Sequence, residues 1–409
     1  MEAVTAPTGR LRLFDALRHR DFRLLWSGQT VSLVGDVAFM VALGWRTFTL
    51  AGSSRLGVVL LCNAGAMLAT LLIGGALADR YERRRMMIVS DVWRFVAVGA
   101  LAVVDATGHL TFPLLLALAV VAGLGDGFFY PALGGIVPLV VEQPALASAN
   151  SLMGIARWGS LMIGPSLAAG VYHSGGASVV FGFNAVTYLV SAGLIWLARP
   201  RPIERSAGEG TLREILEGAH YVARIPWLWV TISLFAVVLT LQYAPQQVLL
   251  PKLVHEHFDR GVGAYGLLTT FLGVGTVLGT LAFGQLQPRR RRGVVAYSLW
   301  LVNSFAIAAL ALSPWFEVAA GLAVLRGACL GFGVAIWETM LQELVPEHLL
   351  ARVVSLDVFG SFGLTPIGLA IWAAVANLAP PGVLIASGAG VSCVLISLTI
   401  TRRWLWEVD

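Results

Sequence analysis

Twelve long apolar segments, separated by polar loops, recur along the 409-residue chain. Each is about 20 residues or longer, which is the length that an α-helix needs to cross the hydrocarbon core of a bilayer. Barrel strands are about half as long and alternate in polarity. The segments therefore predict an all-α polytopic membrane protein. The predicted spans lie near Leu24–Leu50, Leu56–Ala78, Met86–Thr107, Phe112–Val141, Ala145–Tyr172, Ser178–Leu197, Trp227–Leu250, Gly263–Gln285, Val294–Ser313, Val318–Val345, Val353–Leu378 and Val383–Thr401.

The scarcity of charge supports the same conclusion. Only 12% of the residues are charged and 57% are hydrophobic, whereas a soluble protein carries roughly 25% charged residues. Lipid must therefore cover much of the surface. The formal net charge of +5 does not indicate nucleic-acid binding, because the basic residues cluster in short runs between the apolar spans, as topology signals do.

The positions of the basic residues predict the orientation. Twenty-one of the 28 fall in loops on one side of the predicted membrane, three on the other side and four inside spans. Loops rich in Lys and Arg face the cytoplasm. We therefore expect both termini and the loop between spans six and seven to be cytoplasmic, which also requires an even number of spans.

The two halves of the chain resemble each other. The polar loop after span two matches the loop after span eight, and the segment Val141–Leu152 matches Val345–Leu356, at offsets of 209 and 204 residues. Such a repeat indicates a duplicated six-helix unit, as in transporters that rock one half against the other. We expect an N-terminal bundle at 1–198, a cytoplasmic linker at 199–225 that includes an amphipathic helix with Thr211 as its N-cap and Glu214 as the capping-box partner, and a C-terminal bundle at 226–409.

The loop after span two carries the motif Gly75-x-x-x-Asp79-Arg80-x-x-Arg83-Arg84. It resembles the signature loop of the major facilitator superfamily, with Glu82 where that family usually has glycine. In the second-half copy Pro288 stands at the position of the aspartate. The resemblance implies twelve helices in two pseudo-symmetric six-helix bundles. It also implies a cytoplasmic gate, in which the carboxylate of Asp79 receives arginines or caps a facing helix. The alternative is that these arginines only set the topology.

Two further segments resemble a narrower group. Phe22–Gln29 with Ser32–Asp36 resembles the start of the drug:proton antiporter-3 group, which includes macrolide, multidrug and enterobactin exporters. Gly164-Pro165 resembles part of the antiporter motif, although alanines follow where glycines are usual. The resemblance implies a monomeric antiporter in the plasma membrane of a bacterium, which exports amphiphilic small molecules such as drugs or secondary metabolites in exchange for protons.

Several ionisable residues lie inside the predicted spans, where each costs several kcal/mol and marks a pathway or a partner. The candidates for proton coupling or substrate binding are Asp36, Asp126, Glu338, Arg46, Arg157 and Arg326. The resemblance places spans one, four and ten, which hold the three acidic candidates, around the central cavity. The alternative is structural pairing, for example of Asp36 with Arg46 or of Asp126 with Arg157.

Other polar residues within spans are interpreted as structural or auxiliary. Asp91 and Arg94 are one turn apart and are predicted to lie near the cytoplasmic end of span three, as a structural pair or as part of the loop cluster. Gln242, Gln246 and Gln247 of span seven add hydrogen-bonding capacity to the predicted pathway.

Other functions were weighed against proton-coupled export. A lysophospholipid, lipid or siderophore carrier of the same fold, and a uniporter, are alternatives within transport. A membrane enzyme is disfavoured because the sequence has no nucleophile motif, phosphate-binding loop or metal-ligand spacing, so that no cofactor and no metal is expected. A receptor usually adds a soluble domain, and the sequence shows no segment of that kind.

Overall fold

The computed structural model of the protein describes residues 14–78, 81–201, 211–286 and 288–408. Within those ranges the chain is helical and contains no strand. The helices are α1 (Arg20–Ala51), α2 (Ser53–Ala78), α3 (Arg83–Ala106), α4 (Phe112–Val140), α5 (Leu146–Leu197), α6 (Thr211–Arg224), α7 (Pro226–Lys252), α8 (Val262–Leu286), α9 (Arg292–Leu312), α10 (Phe316–Leu344), α11 (Glu347–Phe362), α12 (Thr365–Val375), α13 (Pro381–Ile400) and α14 (Arg403–Trp406).

Eleven helical segments of the described chain are long and apolar enough to cross a membrane. One of them contains α5, whose 52 residues are more than twice the length that one crossing needs. Gly176 interrupts α5 with a φ of 74°, which glycine adopts without a steric penalty. The two parts of α5 are therefore spans five and six, while α11 and α12 together form span eleven. This confirms twelve membrane-spanning helices.

The helices pack as two six-helix bundles with equivalent neighbours. In the first bundle α2 packs against α4, α4 against α3, and α1 against α5. In the second bundle α8 packs against α10, α10 against α9, and α7 against α13. The bundles meet where α5 packs on α8 and where α12 packs on α2. These equivalent pairings confirm the pseudo-symmetric repeat and the all-α fold.

Within the second bundle, α8 and α10 approach closely along two Gly-x-x-x-Gly steps. A methyl group at Gly275 or Gly279 would collide with the backbone of Val324 or Ala328, respectively, on α10. The absence of side chains at this spacing lets membrane helices approach and gain dispersion contacts.

This close packing leads to a stability prediction. Gly331→Val should lower the apparent melting temperature in detergent, because a methyl group there would collide with the backbone oxygen of Thr276, and overpacking costs about 1–3 kcal/mol. Gly321→Val in the same helix is the matched control, since no atom lies within 4 Å of a Cβ built at Gly321. Equal melting temperatures for the two variants would contradict this view of the interface.

The predicted linker helix exists as α6. Its later residues, including Tyr221 and Val222, pack with Ile225 on a cluster that contains Leu341 and Val345. The side chains of Thr211 and Glu214, to which the capping box was assigned, lie outside the described residues. Helix α6 therefore rests on the end of the second bundle.

Candidate functional site

An arginine and three aspartates form a buried ionic cluster inside the first bundle. Arg94 of α3 lies at its centre and is 2% exposed. The guanidinium donates through Nη2 to Asp91, one turn earlier in the same helix. Its Nη1 donates to Oδ1 of Asp126 on α4 at 3.1 Å. Charge-assisted hydrogen bonds of this kind are stronger than neutral ones, so Arg94 ties α3 to α4 within the membrane.

Asp36 of α1 joins the cluster through a tyrosine. The hydroxyl of Tyr188 in α5 donates to Oδ1 of Asp36 at 2.5 Å, and Asn184 donates to that hydroxyl at 3.1 Å. The guanidinium carbon of Arg94 lies 4.3 Å from the centre of the Tyr188 ring and 4.1 Å from that of Phe129. The cation therefore lies over both rings, which is a favourable electrostatic arrangement.

The charges in this cluster do not balance. Three carboxylates share a single guanidinium, so the fully ionised cluster carries two excess negative charges. In a low-dielectric interior such an excess is costly unless a proton or a cationic group neutralises it. The side chain of Asp91 is 0% exposed and that of Asp126 is 18% exposed, while Asp36 is half-buried. Asp36 and Asp126 are therefore less buried than Asp91.

The ion pairs in the structure are not those that the sequence suggested for Asp36 and Asp126. Arg46 does not pair with Asp36 but with Asp105 at the far end of α3, at 2.7 Å between Nε and Oδ1. The ion-pair partner of Asp126 is Arg94 and not Arg157.

Arg157 and Glu338 belong to different bundles but lie close enough for their charges to interact. Both side chains, on α5 and α10 respectively, are exposed. On the next helix, Asp357 accepts hydrogen bonds from Trp337 at 3.0 Å and from Ser361 at 3.3 Å. Arg157, Glu338 and Asp357 therefore form a second group of charges, in which Glu338 interacts with the other two.

The predicted structural pair of Asp91 and Arg94 is present, but Arg94 does not lie near the end of its helix. Helix α3 begins at Arg83, so Arg94 is the twelfth of its 24 residues and lies at the middle of the helix. The signal was present in the sequence, because an arginine central in an apolar helix needs partners. Tyr188 was also missed, since an isolated tyrosine in an apolar span carries no recognisable pattern.

The second bundle holds a network of uncharged polar side chains, and Arg326 donates to a glutamine next to it. Gln242 donates to Ser304 at 2.7 Å and accepts from Asn303 at 3.1 Å. One turn further along α7, the side-chain oxygen of Gln246 accepts a hydrogen bond from Arg326 of α10. Two of the three glutamines of span seven thus bind residues of neighbouring helices. The third, Gln247, donates to a tyrosine of its own helix.

Part of the predicted gate motif can be located. Asp79 and Arg80 lie outside the described residues, and Gly75 lies in α2. Arg83 donates to the backbone oxygen of Gly135 in α4 at 2.6 Å. Arg84 donates to two backbone oxygens in the last turn of α5, where an arginine complements the negative end of the helix dipole. These two arginines therefore bind helices of their own bundle.

The antiporter-like motif lies where three helices meet. A Cβ at Gly164 would lie 2.8 Å from Val37 of α1, and the carbonyl of Pro165 lies 2.7 Å from the position of a Cβ at Gly266 in α8. The adjacent Ser166 and Thr270 share a hydrogen bond of 2.7 Å between the two bundles. The motif therefore brings α5 against α1 on one side and against α8 on the other.

Contacts between the bundles are concentrated away from the arginine-rich side, which we define by residues 83–85, 199 and 289–292. At the opposite ends of the helices, Trp45 of α1 stacks on Tyr265 of α8 at 6.1 Å between ring centres and contacts His255 edge-on. Asn377 donates to Ser54 at 3.1 Å. Among the side chains that the structure describes, these contacts hold the bundles together on the side opposite the arginine-rich loops.

Comparison with known sequences identifies the family. The sequence profile described as transmembrane secretion effector matches residues 12–407. The chain belongs to this family of the major facilitator superfamily. This transporter is 27% identical over 391 residues to the enterobactin exporter EntS of Salmonella choleraesuis, covering 93% of the chain and 92% of that protein. It is also 27% identical over 392 residues to EntS of Escherichia coli O139:H28, covering 93% and 91%.

Solved structures agree on the fold. The nucleoside transporter NupG matches with a TM-score of 0.75 at 10% identity, covering 94% of this transporter and 99% of that chain. A bacterial homologue of the iron transporter ferroportin, in an inward-facing state, matches with a TM-score of 0.71 at 18% identity over 94% and 99%. At these identities the likeness shows the fold alone.

Proposed function

We propose that the protein is a proton-coupled exporter of amphiphilic small molecules that works by alternating access. The observation that carries this proposal is the buried cluster of three carboxylates, one arginine and one tyrosine in the first bundle. We infer that this cluster exchanges protons, because its carboxylates outnumber its single arginine. A purely structural ion pair needs no excess of carboxylates, whereas proton exchange requires at least one carboxylate that gains and loses a proton.

The proposed cycle uses Asp36 and Asp126 as the proton carriers. A carboxylate holds its proton when it is enclosed in an apolar site, and releases it when water or a cation reaches it. Arg94 stays charged and shifts its hydrogen bonds between the carboxylates as the bundles rock. One proton that moves inward down 100 mV supplies about 2.3 kcal/mol, which sustains roughly a fiftyfold gradient of a neutral cargo exchanged one for one.

The orientation follows from the positive-inside rule. We place the arginine-rich side in the cytoplasm of a bacterium, with both termini and the linker on that side and the protein in the inner membrane as a monomer. The bundles then meet at the outer side, which describes an inward-open conformation. We divide the chain as expected from the repeat, with bundles at 1–198 and 226–409 and a linker at 199–225.

The relatives favour a siderophore within the amphiphilic class. Proteins named enterobactin exporters are similar over nearly the whole chain, and no comparably specific observation favours lipids or drugs. We therefore rank siderophores first, and multidrug efflux and antibiotic resistance second.

Counterflow in proteoliposomes tests the proposed cargo. Vesicles loaded with one unlabelled compound at a time, from a panel of siderophores, amphiphilic drugs and lysophospholipids, should take up the same compound in labelled form when it is a substrate, and we expect this for a catecholate siderophore. Protein-free vesicles are the control. If no siderophore or amphiphile in the panel supports exchange, the proposed function is wrong.

A further inference from the structure

A small cavity in the second bundle adjoins the interface with the first. Its volume is about 80 Å³, and it is bounded by helices α7 to α10. The polar side chains that line it are Tyr243, Gln246, Gln247, Tyr265, Thr269 and Arg326. Because Tyr265 also stacks on Trp45 of α1, the cavity lies beside the surface along which the two bundles separate.

The guanidinium of Arg326 faces this cavity with incomplete hydrogen bonding. It donates to the side-chain oxygen of Gln246, but its Nε is buried and has no partner among the atoms described. No carboxylate of the described chain lies within ion-pair distance of it. Arg326 thus differs from Arg46 and Arg94, which both bind aspartates inside the first bundle.

An unneutralised arginine within a span is costly. Insertion of an arginine at the centre of a membrane helix costs about 2.5–3.5 kcal/mol, and a neutral amide such as that of Gln246 does not cancel the charge. The residues that line the cavity include no acid. The cavity therefore carries one full positive charge that a ligand oxyanion can neutralise, and a planar guanidinium binds carboxylates and phosphates through two parallel hydrogen bonds.

We propose that Arg326 and this cavity bind an oxyanion of the transported molecule, such as a carboxylate, sulfonate or phosphate group. The proposal deepens the exporter function and rests on it only for the statement that the bound molecule is the cargo. A volume of about 80 Å³ holds several waters by the usual measure, so the cavity takes the anionic group, while the apolar body of the molecule lies between the bundles. The first bundle carries the excess of carboxylates and the second binds the anion.

Binding of a matched pair of small ligands tests this proposal without any transport. The protein is placed in nanodiscs of zwitterionic phosphatidylcholine in a buffer low in chloride, with no proton gradient. Fluorine NMR then compares 4-fluorobenzoate with the neutral 4-fluorobenzamide, which has nearly the same shape. The wild type should bind the benzoate about tenfold or more tightly, because one hydrogen bond to a charged group is worth at least that factor.

Two substitutions remove the net positive charge of the cavity in different ways. Arg326→Gln removes the cation, and Gln246→Glu keeps the arginine but supplies a carboxylate next to it. Both should abolish the preference for benzoate over benzamide. Arg55→Gln, which removes an exposed arginine elsewhere, should retain it. Gln246→Glu is decisive if Arg326→Gln fails to fold, since it only replaces an amide with a carboxyl of the same size.

Three results would overturn the proposal. They are equal binding of the two ligands by the wild type, a preference that survives both substitutions, and loss of benzoate binding when phosphatidylglycerol is added to the nanodiscs. The last result would assign the cavity to a lipid head group. Since this experiment needs neither flux nor a gradient, its failure is distinct from a failure of counterflow, which would contradict the exporter function itself.

Discussion

Arg94→Gln is expected to destabilise the first bundle by about 3–5 kcal/mol, since removal of one partner from a buried ion pair leaves uncompensated charge behind. Three carboxylates would then face each other in the membrane without a cation. The cation–π contacts of Arg94 with Tyr188 and Phe129 would also be lost. The apparent melting temperature of the purified protein in detergent measures this effect, and the yield of monodisperse protein should fall with it.

The matched control is Arg260→Gln. Arg260 is 48% exposed and pairs with the exposed Glu317 at 3.0 Å, and such surface pairs contribute about 0–1 kcal/mol. The double variant Arg94→Gln/Asp91→Asn should regain part of the lost stability, because it removes one of the uncompensated charges. If Arg94→Gln melts at the same temperature as Arg260→Gln, the carboxylates do not depend on the arginine, and the cluster is not an ionic unit.

The second large effect is expected from Asp126→Asn and Asp36→Asn. An amide preserves the size of each side chain and still accepts a hydrogen bond, but it cannot exchange a proton. Each variant should therefore lose substrate accumulation driven by an imposed proton gradient. A proton-motive force of 100 mV sustains roughly a fiftyfold ratio of substrate concentrations across the membrane at one proton per molecule, and in the variants this ratio should fall toward one. Uptake of labelled substrate into proteoliposomes with an imposed gradient measures this loss.

Counterflow without a gradient separates coupling from binding in these variants. Exchange needs the substrate site and the conformational change but no net proton movement, so we expect Asp126→Asn to retain it. Glu317→Gln, which neutralises an exposed carboxylate, should retain both gradient-driven accumulation and exchange. If gradient-driven accumulation persists in both Asp36→Asn and Asp126→Asn, the proton is carried elsewhere.

The spans were predictable because their length and apolarity are local properties. The boundary between spans five and six was placed between Tyr172 and Ser178, and the structure breaks the helix at Gly176. The start of span four at Phe112 also agrees. Periodicity and turn residues determine such features without any knowledge of the neighbouring helices.

The partners of the charged residues were not predictable in the same way. Arg46 was considered a partner for Asp36, ten residues away in the same helix, whereas it binds Asp105 of α3. Which side chains meet depends on the rotation and depth of each helix against its neighbours, and the same freedom brings Asp126 of α4 to Arg94 of α3. Sequence spacing alone does not contain that information.

The most direct test of proton-coupled export is the movement of protons caused by substrate. Proteoliposomes that contain a pH-sensitive dye and carry no initial gradient receive an external substrate identified by counterflow. In wild-type vesicles substrate entry should make the lumen more alkaline, because each molecule that enters is exchanged for at least one proton that leaves, and Asp126→Asn vesicles should show no such change. Wild-type vesicles that accumulate substrate while the luminal pH stays constant would contradict the account.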